Sequence, residues 1–443
     1  MESVKPNLSL KRDKLHWGVF FVVFVAYLAS PVVTSYDSHW SIHTGLSILH
    51  QGNTDIDEYL SSEKDRTHFA LEQVNGHYYS LFPVGTSVLS LPFIAIADVA
   101  FDPIIERLPA LERFFVQQLA DHDIYVDQLK MIDVYPAVEL VIASFYTALA
   151  GVFIFLIARL QLNIPWALFV VFIFAFCTSS WSTSSRGLWQ HGPSVMFLSL
   201  ALYLLLREKI KPGFIHYMAI PLALAFIIRP TNAITVFFFS LYVLLYYRPY
   251  FIKFMAIALP FALVYFAYNF SVYQQFFPTY SQVERVLHGQ SFFTALAGHL
   301  ISPARGLFIY SPILLLAFYG LLGQKSVLSR IILSLMLLHW LLIASFPHWW
   351  GGHCYGSRLM TDMLPYFIYF IVLALHKISL KPSAHQHVFL LVIFPFVLFS
   401  FYVHYQGAFN HAVFDWNSIP NDIDQNPQRL WDWQDIAIFR KTP

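Results

Sequence analysis

The sequence predicts an all-α polytopic membrane protein of about 11 transmembrane helices (roughly 10–13) with a large first extracytoplasmic loop. Two observations predict it. Of 443 residues, 57% are hydrophobic and 18% aromatic, and only 12% are charged, where a soluble domain carries about a quarter. So few charges cannot clothe a water-facing surface, and mean hydropathy is +0.56; the matching solvent is lipid. Apolar runs of near-spanning length also recur along the chain, separated by short polar connections. The net charge of +1 provides no basic field, which argues against nucleic acid as a partner and leaves membrane lipids.

By apolar length the runs fall at roughly 15–34, 135–158, 164–179, 192–206, 214–228, 230–247, 251–270, 306–323, 330–347, 362–377 and 386–404. Several are shorter than the roughly 20 residues of a straight span. Pro230 interrupts the pair 214–228 and 230–247 and leaves Arg229 at the turn. No small-residue cleavage site follows the first run, so no cleavable signal peptide is expected. Lys5, Lys11, Arg12 and Lys14 precede that run and place the N-terminus in the cytoplasm. Alternation then puts four basic connections on the same side: Arg207 with Lys209 and Lys211, Arg248 with Lys253, Lys325 with Arg330, and Lys377 with Lys381.

Residues 81–101 (LFPVGTSVLSLPFIAIADVAF) are apolar enough to span. A crossing there would turn every later basic loop outward. The following stretch is also acidic, with Glu106, Glu112, Asp121, Asp123, Asp127 and Asp133 outnumbering Arg107, Arg113 and Lys130. The segment is therefore expected to be re-entrant or to lie on the outer interface, the alternative being an ordinary twelfth span. Pro83, Gly85 and Pro92 fit a broken helix, which is tolerated where protein covers it. The result is a transmembrane domain over 1–404 whose first outer loop is 35–134, and an extracytoplasmic tail over 405–443. Trp416, Trp431 and Trp433 are expected to anchor that tail in the headgroup layer. Cys177, in an apolar run, and Cys354, in a polar loop, read as two lone thiols.

Polar residues concentrate on the outer side. Asp37, in Ser-Tyr-Asp-Ser-His-Trp (35–40), is the acid nearest the membrane. At the lip of a cavity it can act as a general base; it can equally cap the helix that follows. Tyr36 and His39 flank it. Asp55, Asp57 and Glu58 supply oxygens for a divalent cation but do not match a calcium-loop spacing, and a solvated acidic turn accounts for them as well. Residues 185–193 carry Arg186, Trp189 and His191; residues 302–312 carry Arg305 and Tyr310. Residues 348–358 carry Trp349, Trp350, Tyr355 and Arg358 around a Gly351-Gly352 turn, with Asp362 beyond. Aromatics of this kind stack on a sugar or line a lipid groove. Arginine forks clamp phosphate, or snorkel to lipid and do nothing else. His348 and His353 lack a zinc-ligand spacing. No Walker loop, dinucleotide-binding glycine pattern or HExxH occurs, so any donor must arrive activated on the outer side.

These residues resemble the GT-C superfamily of integral membrane glycosyltransferases, which includes protein O-mannosyltransferases and aminoarabinose transferases. The likeness lies in the first span, the large outer loop with Asp37 near its start, and the many spans that follow. Gly76-His-Tyr-Tyr-Ser-Leu-Phe-Pro-Val-Gly85 is similar to a "YY…PPG…LP" run of bacterial members. Leu188-Trp-Gln-His-Gly-Pro193, Ser302-Pro-Ala-Arg-Gly306 and Trp349-Trp-Gly-Gly352 through Arg358 are similar to bacterial GT-C-like proteins. Two departures stand out: Asp37 has no adjacent acid, and Val84 replaces the second proline.

The resemblance implies transfer of a sugar from a polyprenyl-phosphate donor to a glycan, lipid or protein acceptor at the extracytoplasmic face of a bacterial inner membrane. Asp37 is then the base. Arg305 and Arg358 are the donor-phosphate partners, followed by Arg186 and His191. Tyr36, His39, Trp189, Tyr310, Trp349, Trp350 and Tyr355 line the substrate site. The resemblance fixes no cofactor and leaves a divalent cation open. Competing readings of the same features are a transporter or flippase of a lipid-linked glycan, and an O-antigen polymerase or ligase.

Overall fold

The computed structural model describes residues 14–34, 37–60, 66–121, 124–281 and 291–441. The chain is predominantly helical, and its one sheet among the described residues is a two-stranded hairpin. The helices that matter below are α1 (Leu15–Leu28), α2 (Ser41–His50), α3 (Gly85–Arg107), α4 (Pro109–Ala120), α5 (Tyr135–Arg159), α6 (Ile164–Phe176), α7 (His191–Glu208), α8 (Ala219–Ile228), α9 (Ala233–Tyr246), α10 (Arg248–Tyr273) and α11 (Phe292–Ile301). They continue with α12 (Leu307–Tyr310), α13 (Leu316–Leu321), α14 (Val327–Ala344), α15 (Leu364–Ser379) and α16 (Ser383–Phe409). Strands β1 (Leu71–Val74) and β2 (His77–Ser80) pair antiparallel, Leu71 opposite Ser80 and Val74 opposite His77. Asn75 and Gly76, both at positive φ, make the turn.

Among the described residues six helices are long and apolar enough to cross a membrane: α3, α5 with its preceding turn, α10, α14, α15 with its preceding turn, and α16. They differ in what surrounds them. Of the most apolar stretch of each, 94% is buried in α15 but only 11% in α10. A helix apolar all round and buried is a bundle core; one apolar all round and bare presents its side chains to lipid. The core accordingly forms around α5 and α15, with α1 and α7 packed on α5, and α13 packed on α15. Gly320 allows that last approach, because a Cβ there would overlap the carbonyl oxygen of Phe370. Lys377 of α15 closes the end of α13 by donating to the carbonyls of Tyr319, Gly320 and Leu322.

Three expectations are corrected. Residues 85–107 form one continuous helix with Pro92 and Pro103 inside it, not a broken one. The run 306–323 is instead interrupted: Ser311 and Pro312 separate α12 from α13. Side chains from α16 serve the buried backbone N–H and hydroxyl that the break frees, Ser400 Oγ accepting from Ile313 N–H at 3.2 Å and His404 Nε2 meeting Ser311 Oγ at 2.7 Å. Trp416 is no headgroup anchor. It is 1% exposed, donates to Asp435 O, and has the guanidiniums of Arg305 and Arg429 over its ring. Trp433 does remain open. Both cysteines are free and buried. Lys5, Lys11, Arg12, Tyr36 and Asp123 lie outside the described residues.

The register of α3 against α5 sets its depth. Phe101 and Ile105 pack beside Leu129 and Val134, Phe93 meets Phe145, and Leu89 O accepts from Tyr146. The two helices therefore run antiparallel, and the N-terminus of α3 reaches only about halfway along α5.

Candidate active site

The cavity opens where α3, α7 and α8 meet the loops before α2 and α15. Its volume is about 570 Å³. Asp37, Ser38, Ser41, Ser80, Thr86, Ser87, Gln190 and His191 give it a polar lining; Phe69, Phe82, Trp189, Tyr280 and Phe346 give it aromatic walls. Arg229, Arg358 and Asp424 complete the charged set.

Asp37 and Arg358 form an ion pair across it, Nη1 to Oδ2 at 2.5 Å. They are 321 positions apart in sequence, so the pairing is a product of the fold. The arginine is nearly buried and its guanidinium lies over the Trp189 ring at 4.2 Å. Cation–π contact and ion pairing together fix the fork. Gly351 makes room for it: φ is +74°, and a Cβ would lie 3.1 Å from Arg358 Nε. Glu139, buried on α5, braces both lips by accepting from Ser38 Oγ at 2.7 Å and from the Leu188 N–H at 3.2 Å. Its role inside an apolar span is thus to hold the segments bearing Asp37 and Trp189.

A second charged group lines the same cavity. Arg229 Nε is 2.7 Å from Asp362 Oδ2, and its Nη1 is 3.2 Å from His191 Nε2. Asp362, fully buried, also accepts from Ser194 Oγ at 2.6 Å, and Ser194 in turn accepts from Asn232. Asp362 therefore neutralises a buried cation that still lines the cavity. Tyr280 lies within electrostatic reach of Arg229, Asp37 and Arg358; burial raises its phenol, which stays a hydrogen-bond donor.

The expected residues divide. Asp37, Arg358, Trp189 and His191 line the cavity. Arg186 does not: fully buried, it donates to the carbonyls of Tyr27, Ser30 and Val32. Arg305 does not either; it donates to Trp350 O, Gly352 O and Asn417 Oδ1, and so shapes the loop before Arg358 from behind. Tyr310 packs against Tyr355, and Tyr355 donates to Val403 O. Trp349 packs on Gly298 and His299, while Trp350 donates to Asp424. His39 sits behind the wall, bonded to Tyr135 and stacked with His43 and His68.

The acidic turn also rearranges. Glu58 pairs with Ser47, and His77 joins Asp55 and Asp57 in its place. His77 Nδ1 is 2.7 Å from Asp57 Oδ2, a hydrogen bond that raises the imidazole pKa. Burial, then the charge of Asp57, raises Asp55.

Sequence reasoning placed Arg229 only as a turn residue. The available signal was its position: a lone cation between two apolar runs, outside the basic connections. No family model, curated protein or solved structure matches the chain.

Proposed function

We propose that this protein is an extracytoplasmic-face glycosyltransferase that takes its sugar from a polyprenyl-phosphate donor. The observation carrying this is the Asp37–Arg358 pair and a second cation, Arg229, lining one cavity. A carboxylate paired with one guanidinium, and a second guanidinium lining the same cavity, suit a displacement in which a proton is taken and an anion leaves. The acceptor hydroxyl or amine attacks the anomeric carbon, the bond from that carbon to the phosphate oxygen breaks, and the proton passes to Asp37. The bonding pair stays on the departing polyprenyl phosphate, whose charge Arg358 and Arg229 stabilise. Trp189, Phe82 and Tyr280 offer ring faces for the sugar.

The same reading assigns the topology. The ends of α3 stay on one side because the helix begins halfway down α5. The other apolar segments then make eleven spans, with the N-terminus cytoplasmic and the C-terminal tail outside. Contacts between His376 and Gln161, Lys377 and Leu322, and His216 and Tyr250 gather the basic connections at the bundle end opposite the cavity. That arrangement supports a cavity on the outer face of a bacterial inner membrane.

The test is turnover of a panel of polyprenyl-phosphate sugars by purified protein, measured as released polyprenyl phosphate. Native protein is expected to turn over at least one donor, and Arg229→Gln and Arg358→Gln to lose that activity. Donor movement across vesicles without cleavage of the sugar would instead select a flippase.

A further inference from the structure

The loop bearing Arg358 and the C-terminal tail meet at His353, Asp422 and Asp424. His353 lies between α14 and α15, and the two aspartates lie beyond α16. The imidazole is 7% exposed. Its Nε2 is 3.1 Å from Asp422 Oδ2 and 3.7 Å from Asp424 Oδ2, and the three donor atoms lie within 4.8 Å of one another. We propose that these three side chains form a divalent transition-metal site that fastens the tail to the cavity rim.

The orientation of the ligands carries the proposal further than their proximity does. Trp350, from outside the cluster, donates its indole N–H to Asp424 Oδ1 at 2.7 Å. That bond holds one oxygen of the carboxylate and turns the other toward the imidazole. Asp422 Oδ1 accepts the backbone N–H of Asp424 at 2.9 Å, so its Oδ2 also points inward. On the far side of the ring, His353 Nδ1 faces the Ser418 hydroxyl at 3.5 Å. Metal-ligating histidines and carboxylates are held by such outer partners, which fix the tautomer and the free oxygen.

The spacing also fits. Bonds of about 2.0–2.1 Å to nitrogen and oxygen place neighbouring ligands of a tetrahedral site about 3.3 Å apart. One imidazole and two carboxylates favour zinc or manganese over magnesium, which holds to oxygen and water. Three protein ligands leave further positions for water or an anion. Asp424 itself lines the cavity, so the ion would stand at its rim. A plain ionic contact is the competing account, but a protonated Nε2 carries one hydrogen for two carboxylates.

The site is separate from the glycosyl-transfer reading and is tested without activity. Full-length protein, purified in detergent and stripped with chelator, is dialysed against zinc and its metal content measured. Native protein is expected to hold one zinc per chain. The Asp422→Asn, Asp424→Asn double variant and His353→Ala are expected to hold none. Trp350→Phe keeps every ligand but loses the orienting donor, and is expected to bind about 10–100-fold more weakly. Zinc should also slow proteolysis of the tail in native protein alone.

Asp57→Asn reports on the other group of this kind among the described residues, Asp55, Asp57 and His77, and is expected to leave binding intact. If His353→Ala fails to fold, the double aspartate variant, whose side chains are partly exposed, still decides the matter. Equal zinc in the native and double-variant proteins, loss of zinc in Asp57→Asn, or magnesium binding as tight as zinc would each overturn the proposal.

Discussion

Replacing Asp37 with asparagine should move donor binding and turnover in opposite directions. In the structure Asp37 holds Arg358, the cation assigned to the donor phosphate, through a 2.5 Å charged hydrogen bond. An incoming phosphate must displace that carboxylate. Hydrogen bonds to charged groups contribute about 1.5–3 kcal/mol net. The Asp37 side chain is 20% exposed, against 9% for Arg358, so water already weakens the pair and the lower part of that range applies. Removing the competing charge should therefore release about 1.5–2 kcal/mol, or about 10–30-fold tighter binding of a polyprenyl monophosphate. Turnover should fall about 100- to 10,000-fold if Asp37 is the base. Titration of a short-chain polyprenyl monophosphate by calorimetry, alongside donor turnover, measures both. Weaker binding in Asp37→Asn would show that the carboxylate organises Arg358 rather than competing for it. Unchanged turnover would remove Asp37 as the base.

Three further outcomes follow from the packing. Asp362→Ala leaves Arg229 buried without its counter-charge and should cost about 3–5 kcal/mol of stability; an effect below about 1 kcal/mol in detergent unfolding would mean that Arg229 is compensated elsewhere. Gly320→Ala drives a methyl into the Phe370 carbonyl and should destabilise the α13–α15 contact by about 1–3 kcal/mol, read from thermal unfolding in the same detergent. The hydrogen bond to Asp57 raises His77, so the pair's contribution is complete below the unfolded imidazole pKa of about 6.5 and is lost as pH rises through the higher folded value. Amide exchange in β1–β2 should quicken across that window in native protein and lose the pH step in Asp57→Asn.

Hydrophobicity in the sequence locates the long apolar helices of the scaffold. Apolar length located the segments that become α5, α10, α14, α15 and α16, because lipid demands such runs whatever the tertiary packing. Length alone could not reveal the break at Ser311, since the partners that make it tolerable, Ser400 and His404, come from a helix far away in sequence. Asp37 and Arg358 were legible as candidate site residues, with room for a fork beside glycine, and the structure brings both to one cavity. Arg186 and Arg305 carry the same residue-level signature, yet their guanidiniums serve backbone carbonyls. A sequence shows that an arginine lies near an interface but not which way its fork is turned. Trp416 illustrates the same limit: an aromatic in a polar tail suggests a headgroup anchor until two cations are found on its faces.

Arg186 has a consequence of its own. After α1 the chain leaves helical geometry while still among apolar neighbours, and carbonyls at Tyr27, Ser30 and Val32 take their donors from this one guanidinium. Val32 and Thr34 donate onward to Ala408 and Arg186, and Thr34 O accepts from the Trp189 indole. Residues 29–34, the described part of the chain between α1 and Asp37, are thus hydrogen-bonded to the bundle before any ligand arrives. Little conformational entropy remains in those residues to be lost on binding, so under the proposed function recognition free energy from a donor goes to the reacting bond instead of to ordering them.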